Sequence, residues 1–244
     1  MVSRDIKIRY KQSAMGFLWA ILMPTLIVGA GIIVRFGFAV ASGKHIDNSD
    51  IAAVAVKSVP WAFLVSSIRF GCMSLTNNTT LVTKIYFPKE IFPLSAVLAC
   101  LFDFAVASGA LIILLIVLKI GWSLYLLYLP VLLVVLVLLA AGVGMIVSAG
   151  SLFFRDVKYI VEAVLTFAIF FTPVFYDVRM FGDKGKWLLT NPAAPILEGI
   201  SDCVARHQCP DLSWVAYSLV FSLIVFGAGY AFFKHLEPAF AESV

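Results

Sequence analysis

Charge is scarce in this 244-residue chain: Asp, Glu, Lys and Arg together make up 13%. Soluble domains carry about 25%, so these residues cannot clothe a water-exposed surface, and a soluble enzyme is excluded. Histidine is scarcer still. His45, His207 and His235 lie far apart, in loops or at the last helix end, and no pair has metal-ligand spacing. Neither a Gly-x-Ser-x-Gly element nor a Gly-rich loop ending in Lys-Ser/Thr occurs, which removes the usual signals of hydrolysis and nucleotide binding. The 4 cysteines form no framework. Cys72 and Cys100 lie in apolar runs and are expected as buried thiols. Cys203 and Cys209 share a polar loop and would pair only in an oxidising compartment. The first apolar run is too long for a signal-peptide core and lacks a clear small-residue cleavage site, so it reads as a retained span. The polar segments are too short for a folded nucleotide-binding or catalytic domain. Energy for any work must come from elsewhere.

What the chain has is hydrophobicity, at 62% of residues. The apolar runs are unbroken, unlike the alternating strands of a membrane β-barrel. Six are near or above the ~20 residues that span a bilayer as helix: 17–42, 58–75, 94–118, 124–149, 160–176 and 212–233. The expected fold is one all-α transmembrane domain over 1–244, with a short interface segment at 1–16. An even number of spans puts both termini on one side. The basic cluster Arg4, Lys7, Arg9 and Lys11 before the first span makes that side cytoplasmic. Gly29, Gly31, Gly37, Gly142 and Gly144 sit inside spans and suit close helix packing. No internal repeat is evident, which gives an inverted-repeat transporter no support.

Several features have two readings each. Residues 4–17 are amphipathic, with Ile6, Tyr10, Ala14 and Phe17 on one face, and Asp5 and Arg9 form an i,i+4 pair. The segment is either a topogenic basic run or an interface helix whose cations meet a lipid phosphate. Arg35, Arg69, Asp103 and Glu162 lie inside spans, where a charge costs about 2.5–3.5 kcal/mol on insertion scales. Arg69 and Asp103, at similar depth, are expected to pair, as a staple or as a polar conduit lining, and Glu162 to snorkel. Phe167, Phe170, Phe171 and Phe175 make one helical stripe. It faces lipid or neighbouring helices, or offers a wall along which sugar rings slide. The loop 76–93 is expected to hold a short helix stopped by Pro88 and Pro93; it is a surface loop or a docking site for a cytosolic partner. The outer segment 177–211 contains an amphipathic helix begun near Pro195, with Ile196, Leu197, Ile200 and Val204 on one face. Glu198, Asp202 and Arg206 step along the other. It is a lid or a cap over the bundle.

Three stretches carry a family resemblance: RDIKIRYKQSAMGFLWAILMPTL at 4–26, NNTTLVTKIYFPKEIFPL at 77–94 and FRDVKYIVEAVLTFAIFFTPVFY at 154–176. With the Asn-Pro-x-x-Pro-Ile segment at 191–202, they occur in the order seen in membrane subunits of polysaccharide-exporting type-2 ABC transporters. The chain resembles that family over essentially its whole length. Family members usually carry a longer amphipathic stretch before the Arg-Asp than the three residues here.

The resemblance implies a six-span homodimer in the bacterial inner membrane, seated on a cytosolic ABC ATPase that binds ATP and Mg. No cofactor is expected in this chain, and neither a metal nor a nucleic acid is an expected ligand. Thr79, Leu81, Val82, Lys84, Ile85, Tyr86 and Phe87 would form the coupling helix on the ATPase. Pro195, Ile196, Ile200 and Val204 would belong to an outer gate, and the cargo would be a lipid-linked, O-antigen-like glycan. Arg4, Lys7, Arg9 and Lys11 are then candidates for meeting its phosphate, and the four Phe residues for its sugars. The rivals are a type-2 permease for a drug or small lipid, a stand-alone secondary transporter or channel, and a membrane-bound enzyme of lipid metabolism.

Overall fold

The computed structural model describes residues 1–11, 18–42, 47–84 and 88–241, without the side chains at 7–11, 20, 41–42, 83–84 and 241. Among the described residues the regular structure is all helical. Its α-helices are α1 (Val2–Lys11), α2 (Leu18–Ser42), α3 (Asn48–Cys72), α4 (Thr79–Lys84), α5 (Ile91–Val117), α6 (Leu129–Phe153), α7 (Val157–Phe171), α8 (Ala193–Val204) and α9 (Leu212–Leu236). Among the described residues, five stretches are long and apolar enough to cross a membrane: Ile21–Val40, Asn48–Cys72, Ile91–Val117, Leu124–Phe153 and Leu212–Phe240.

Two expected spans are corrected. The second begins at Asn48, ten residues earlier than hydropathy placed it, because the charges that end the apolar run are neutralised inside the fold. Asp50 accepts from Arg35 of α2, and Lys57 donates to Glu198 of α8. The fifth is a helix for only 15 residues, about 22 Å at 1.5 Å per residue. It stops because Thr172 precedes Pro173 and adopts extended backbone (φ −117°, ψ 134°).

α3 and α6 form the centre of the bundle, and glycine sets how closely the helices approach. A Cβ on Gly71 would lie 3.2 Å from the Cα of Gly144, so α3 and α6 meet backbone to backbone. A Cβ on Gly142 would lie 2.7 Å from the backbone nitrogen of Phe226, and one on Gly229 2.6 Å from the carbonyl oxygen of Gly142. Here α6 and α9 touch through small residues, the common membrane solution where burial against lipid gives no drive. Gly29 and Gly37 face open space instead. Hydroxyls supplement this packing: Ser74 and Ser148 share a 2.8 Å hydrogen bond between α6 and the turn after α3.

The two ends of the bundle differ. One end gathers α1, the turn after α3, α4, the start of α5 and the C-terminal segment. The Oγ of Ser95 donates to Asp5 there, and Phe240 is fully buried with Val82, Phe92 and Phe233. α1 and the turn Glu237–Ala241 therefore share this α1/α4 end. The other end carries α8 and the segments that flank it.

Candidate functional site

At the α1/α4 end, Arg4 donates to Asn78 Oδ1 at 2.7 Å and pairs with Asp5 at 3.3 Å. Asp5 in turn accepts from Ser95 at 3.0 Å. These bonds tie α1 to the loop before α4 and to the start of α5. They enclose a cleft of about 460 Å³ lined by Arg4, Asp5, Phe70, Asn77, Asn78 and Phe92, among others. The expected i,i+4 pair of Asp5 with Arg9 falls outside the described residues, as do the side chains of Lys7, Arg9 and Lys11.

α4 covers Thr79–Lys84 of the expected coupling helix. Val82 is buried, Leu81 is half-buried against the same cluster, and Thr79 is half-buried. The Lys84 side chain and Ile85, Tyr86 and Phe87 lie outside the description. The sequence did not point to what holds α4. Phe240 stacks edge-on to Phe233 at 5.1 Å and tilts on Phe153 at 5.9 Å. The Lys89 ammonium lies 5.7 Å from the Phe240 ring centroid. Lys234 bonds Glu90 at 2.9 Å and Glu237 at 2.8 Å. The C-terminal turn, the end of α9 and the start of α5 are thus one unit under the loop.

Arg69 is corrected. Its expected partner was Asp103, which sits half-buried on α5. In the structure Nε and Nη2 of Arg69 donate to the two carboxylate oxygens of Glu162 at 2.6 and 2.8 Å. Glu162, read as a snorkelling residue, therefore closes a planar two-bond fork that links α3 to α7.

The aromatic stripe is also corrected. Phe167, Phe170 and Phe171 are exposed along α7. Phe175 leaves the row because the helix has ended, and its ring packs where a Cβ on Gly31 would lie, 2.8 Å away.

At the other end, α8 is an interior helix. Pro195, Ile196 and Ile200 are buried and Val204 is half-buried, as an apolar face requires. The polar face is covered as well, with Glu198 and Asp202 buried and Arg206 half-buried, and its partners are groups of opposite charge. Lys57, 0% exposed, donates to Glu198 at 3.2 Å and to the carbonyl oxygen of Tyr176 at 2.6 Å. Arg206 donates to Asp202 at 2.6 Å, to Glu198 at 3.4 Å and to Asp177. Arg179 Nη2 reaches both oxygens of Asp202 at 3.0 and 3.1 Å. Three cations thus face three carboxylates, which is the condition for keeping charge out of water. Burial nevertheless pushes Asp202 up to about 6 against the pull of Arg179.

The motif residues meet here. Asn191 donates to Thr172 Oγ1 at 2.9 Å and accepts from the Ala193 amide at 3.1 Å. It therefore starts α8 and fastens it to the end of α7. The Oγ of Ser218 on α9 donates to the Pro192 carbonyl at 2.9 Å. Cys203 and Cys209 are free thiols, the first buried and pushed up to about 11 by that burial, the second exposed.

The long apolar helices define a multi-pass membrane protein with two differently equipped ends. Residues 1–204 match the ABC-2 type transporter family, and the chain belongs to it. The chain is similar to an O-antigen export system permease protein RfbA of Myxococcus xanthus, 26% identical over 247 residues, 100% of this chain and 94% of that protein. Two RfbA permeases of Klebsiella pneumoniae are 26% and 27% identical over 244 residues, covering 99% of this chain and 92% of theirs.

Proposed function

We propose that this chain is the transmembrane subunit of an ATP-driven exporter that moves an O-antigen-like, lipid-linked polysaccharide across the bacterial inner membrane. The observation that carries this is the end-to-end alignment with O-antigen export permeases, 100% of this chain against 94% of the Myxococcus protein. Two copies form the conduit, and a separate cytosolic ABC subunit binds ATP and Mg and hydrolyses the nucleotide.

The geometry supports the arrangement. α1 and the turn Glu237–Ala241 lie at one end of the bundle, which fits an even number of crossings between them. Five long helices supply five, so α7 and the extended residues 172–176 together serve as the sixth. The α1/α4 end faces the cytosol. Its α4 loop, packed on the C-terminal turn, seats the ATPase, and its Arg4-lined cleft receives the lipid phosphate. The exposed Phe167, Phe170 and Phe171 line the glycan's path. α8 is the outer gate element, and its buried charge network holds it in register with α3 and α7.

Purification from native membranes tests the assembly: an ATPase subunit is expected at one per permease. A strain lacking this chain should accumulate lipid-linked glycan on the cytosolic side. Accumulation of a drug or simple lipid in its place, or transport in liposomes without any ATPase, would sink the reading.

A further inference from the structure

A second, larger cleft lies at the α8 end, apart from the Arg4-lined cleft and from the exposed face of α7. Its volume is about 780 Å³, within the usual range for ligand pockets. It is walled by α3, α5 and α6 and floored by Ile200 and Val204 of α8, with Ser108 the one hydroxyl in an otherwise apolar lining. Water needs two to four polar partners and finds one side-chain hydroxyl there, and apolar cavities of this kind stay dry or take apolar guests. Since α3, α5 and α6 are membrane-crossing, the guest at hand is hydrocarbon.

The rim is different in kind. Trp122, 83% exposed, stands at the mouth as interfacial tryptophans do. Among the described residues, two that are not glycine hold left-handed backbone, Lys119 (φ 57°) and His207 (φ 54°). Both stand at this rim. Lys119 directly precedes Ile120 of the lining, and a Cβ on Gly121 of the lining would lie 3.8 Å from His207 Nε2.

Lys119 terminates α5 in a turn that favours glycine. The Ile120 amide donates to Leu115 O and the Lys119 amide to Ile116 O, both at 3.0 Å. Leu115 and Ile120, the apolar pair of that turn, both line the cleft. A lysine in a glycine position costs local strain, and strain of this kind collects at sites that bind. One lysine cation and one imidazole beside the mouth of a hydrocarbon slot complement a phosphate headgroup with an acyl chain.

We infer that this cleft holds one anionic phospholipid of the surrounding leaflet, its acyl chain against Ile200 and Val204 and its phosphate between Lys119 and His207. The bound lipid is a resident component that braces α8 from the membrane side. It is not the transported cargo. The site stands on the cleft alone and does not need α8 to be a gate.

Native mass spectrometry of the full chain tests this, with phosphatidylglycerol and phosphatidylethanolamine added back after delipidation. One phosphatidylglycerol per chain should be retained, about fivefold more tightly than phosphatidylethanolamine, the worth of one lysine near an anionic surface. Lys119→Gly removes the cation and relaxes the turn, so it should fold at least as well and lose that fivefold preference while still holding a lipid chain. Gly109→Phe fills the slot from a position where a Cβ meets nothing within 4 Å. It should lower retention of both lipids on the order of tenfold, with helicity unchanged. The proposal is overturned if Lys119→Gly keeps the preference or Gly109→Phe keeps the lipid. It is equally overturned if the retained lipid is a glycan-linked carrier, or if Gly109→Phe breaks a contact between copies and leaves lipid retention intact.

Discussion

Lys57 is the one cation of the α8 network with no exposure to solvent. It is fully buried, and its Nζ has two described partners, Glu198 and the Tyr176 carbonyl. Replacing it by Met leaves Glu198 with Arg206 and the Val178 amide, at 3.4 and 3.3 Å. That should cost about 3 kcal/mol. The double variant Lys57→Met/Glu198→Gln should recover most of the loss, and thermal melts of all three detergent-solubilised proteins give the coupling. Additive effects would mean that the two residues do not act as a pair. Asp202 supplies a pH signature. Its value of about 6 lies above the ordinary 3.8, so the folded state takes up its proton first as pH falls. The stability penalty of its charge is therefore full above about 6 and gone below about 4. The difference in melting temperature between wild type and Asp202→Asn should shift toward wild type across that window, and a flat difference would refute the assignment. Neither residue's place was legible in the sequence. Lys57 reads as a loop cation because a hydropathy scan ends a span at any charge. The partner that cancels it stands 141 positions away.

Among the elements, the apolar stretches are where the sequence speaks most clearly. Composition and length fix α2, α5, α6 and α9 to within a few residues, since nothing in a bilayer competes with a helix for the backbone hydrogen bonds. The α8 helix was legible in its apolar face and misread in its polar one. A 3.6-residue period identifies which side chains share a face and says nothing about what that face meets. The Phe stripe failed one step earlier, because its spacing assumed a helix running past Pro173. The small-residue crossing of α6 and α9 leads to a prediction at this scale. Gly142→Ala places a methyl 2.7 Å from the Phe226 backbone, and two helices must separate to admit it. A cost of about 1–3 kcal/mol is expected, read as a lower unfolding midpoint. Gly29→Ala, facing open space, should leave that midpoint unchanged, and equal effects at the two positions would dissociate close approach from stability.

For the whole molecule, the α1/α4 end ties three distant stretches into one plate: the loop around α4, the start of α5 and the C-terminal turn. The sequence offers the first of these as a surface loop or a docking element and gives no hint of the last, because Phe240 lies in a short turn past the final apolar run. If the plate passes force from an ATPase to the spans, Phe240→Ala should let the α4 loop slip. The complex would then still assemble and turn over ATP while export falls at least tenfold, and Phe240→Leu should restore much of it. Loss of assembly with no uncoupling would assign the plate to docking alone.

The charge network around α8 also bears on how the chain is made. The α3 segment emerges from the ribosome carrying Asp50 and Lys57, and a lone charge at mid-helix costs about 2.5–3.5 kcal/mol to insert. Glu198 is synthesised 141 residues later, on the order of ten seconds at ordinary elongation rates. Until then the first half of α3 is a poor tenant of the bilayer, free to sit shallow or at the surface. Its final depth is set only after α8 has been made. Truncation before residue 191 should therefore leave a protein whose second span is mispositioned, although every residue of that span is present.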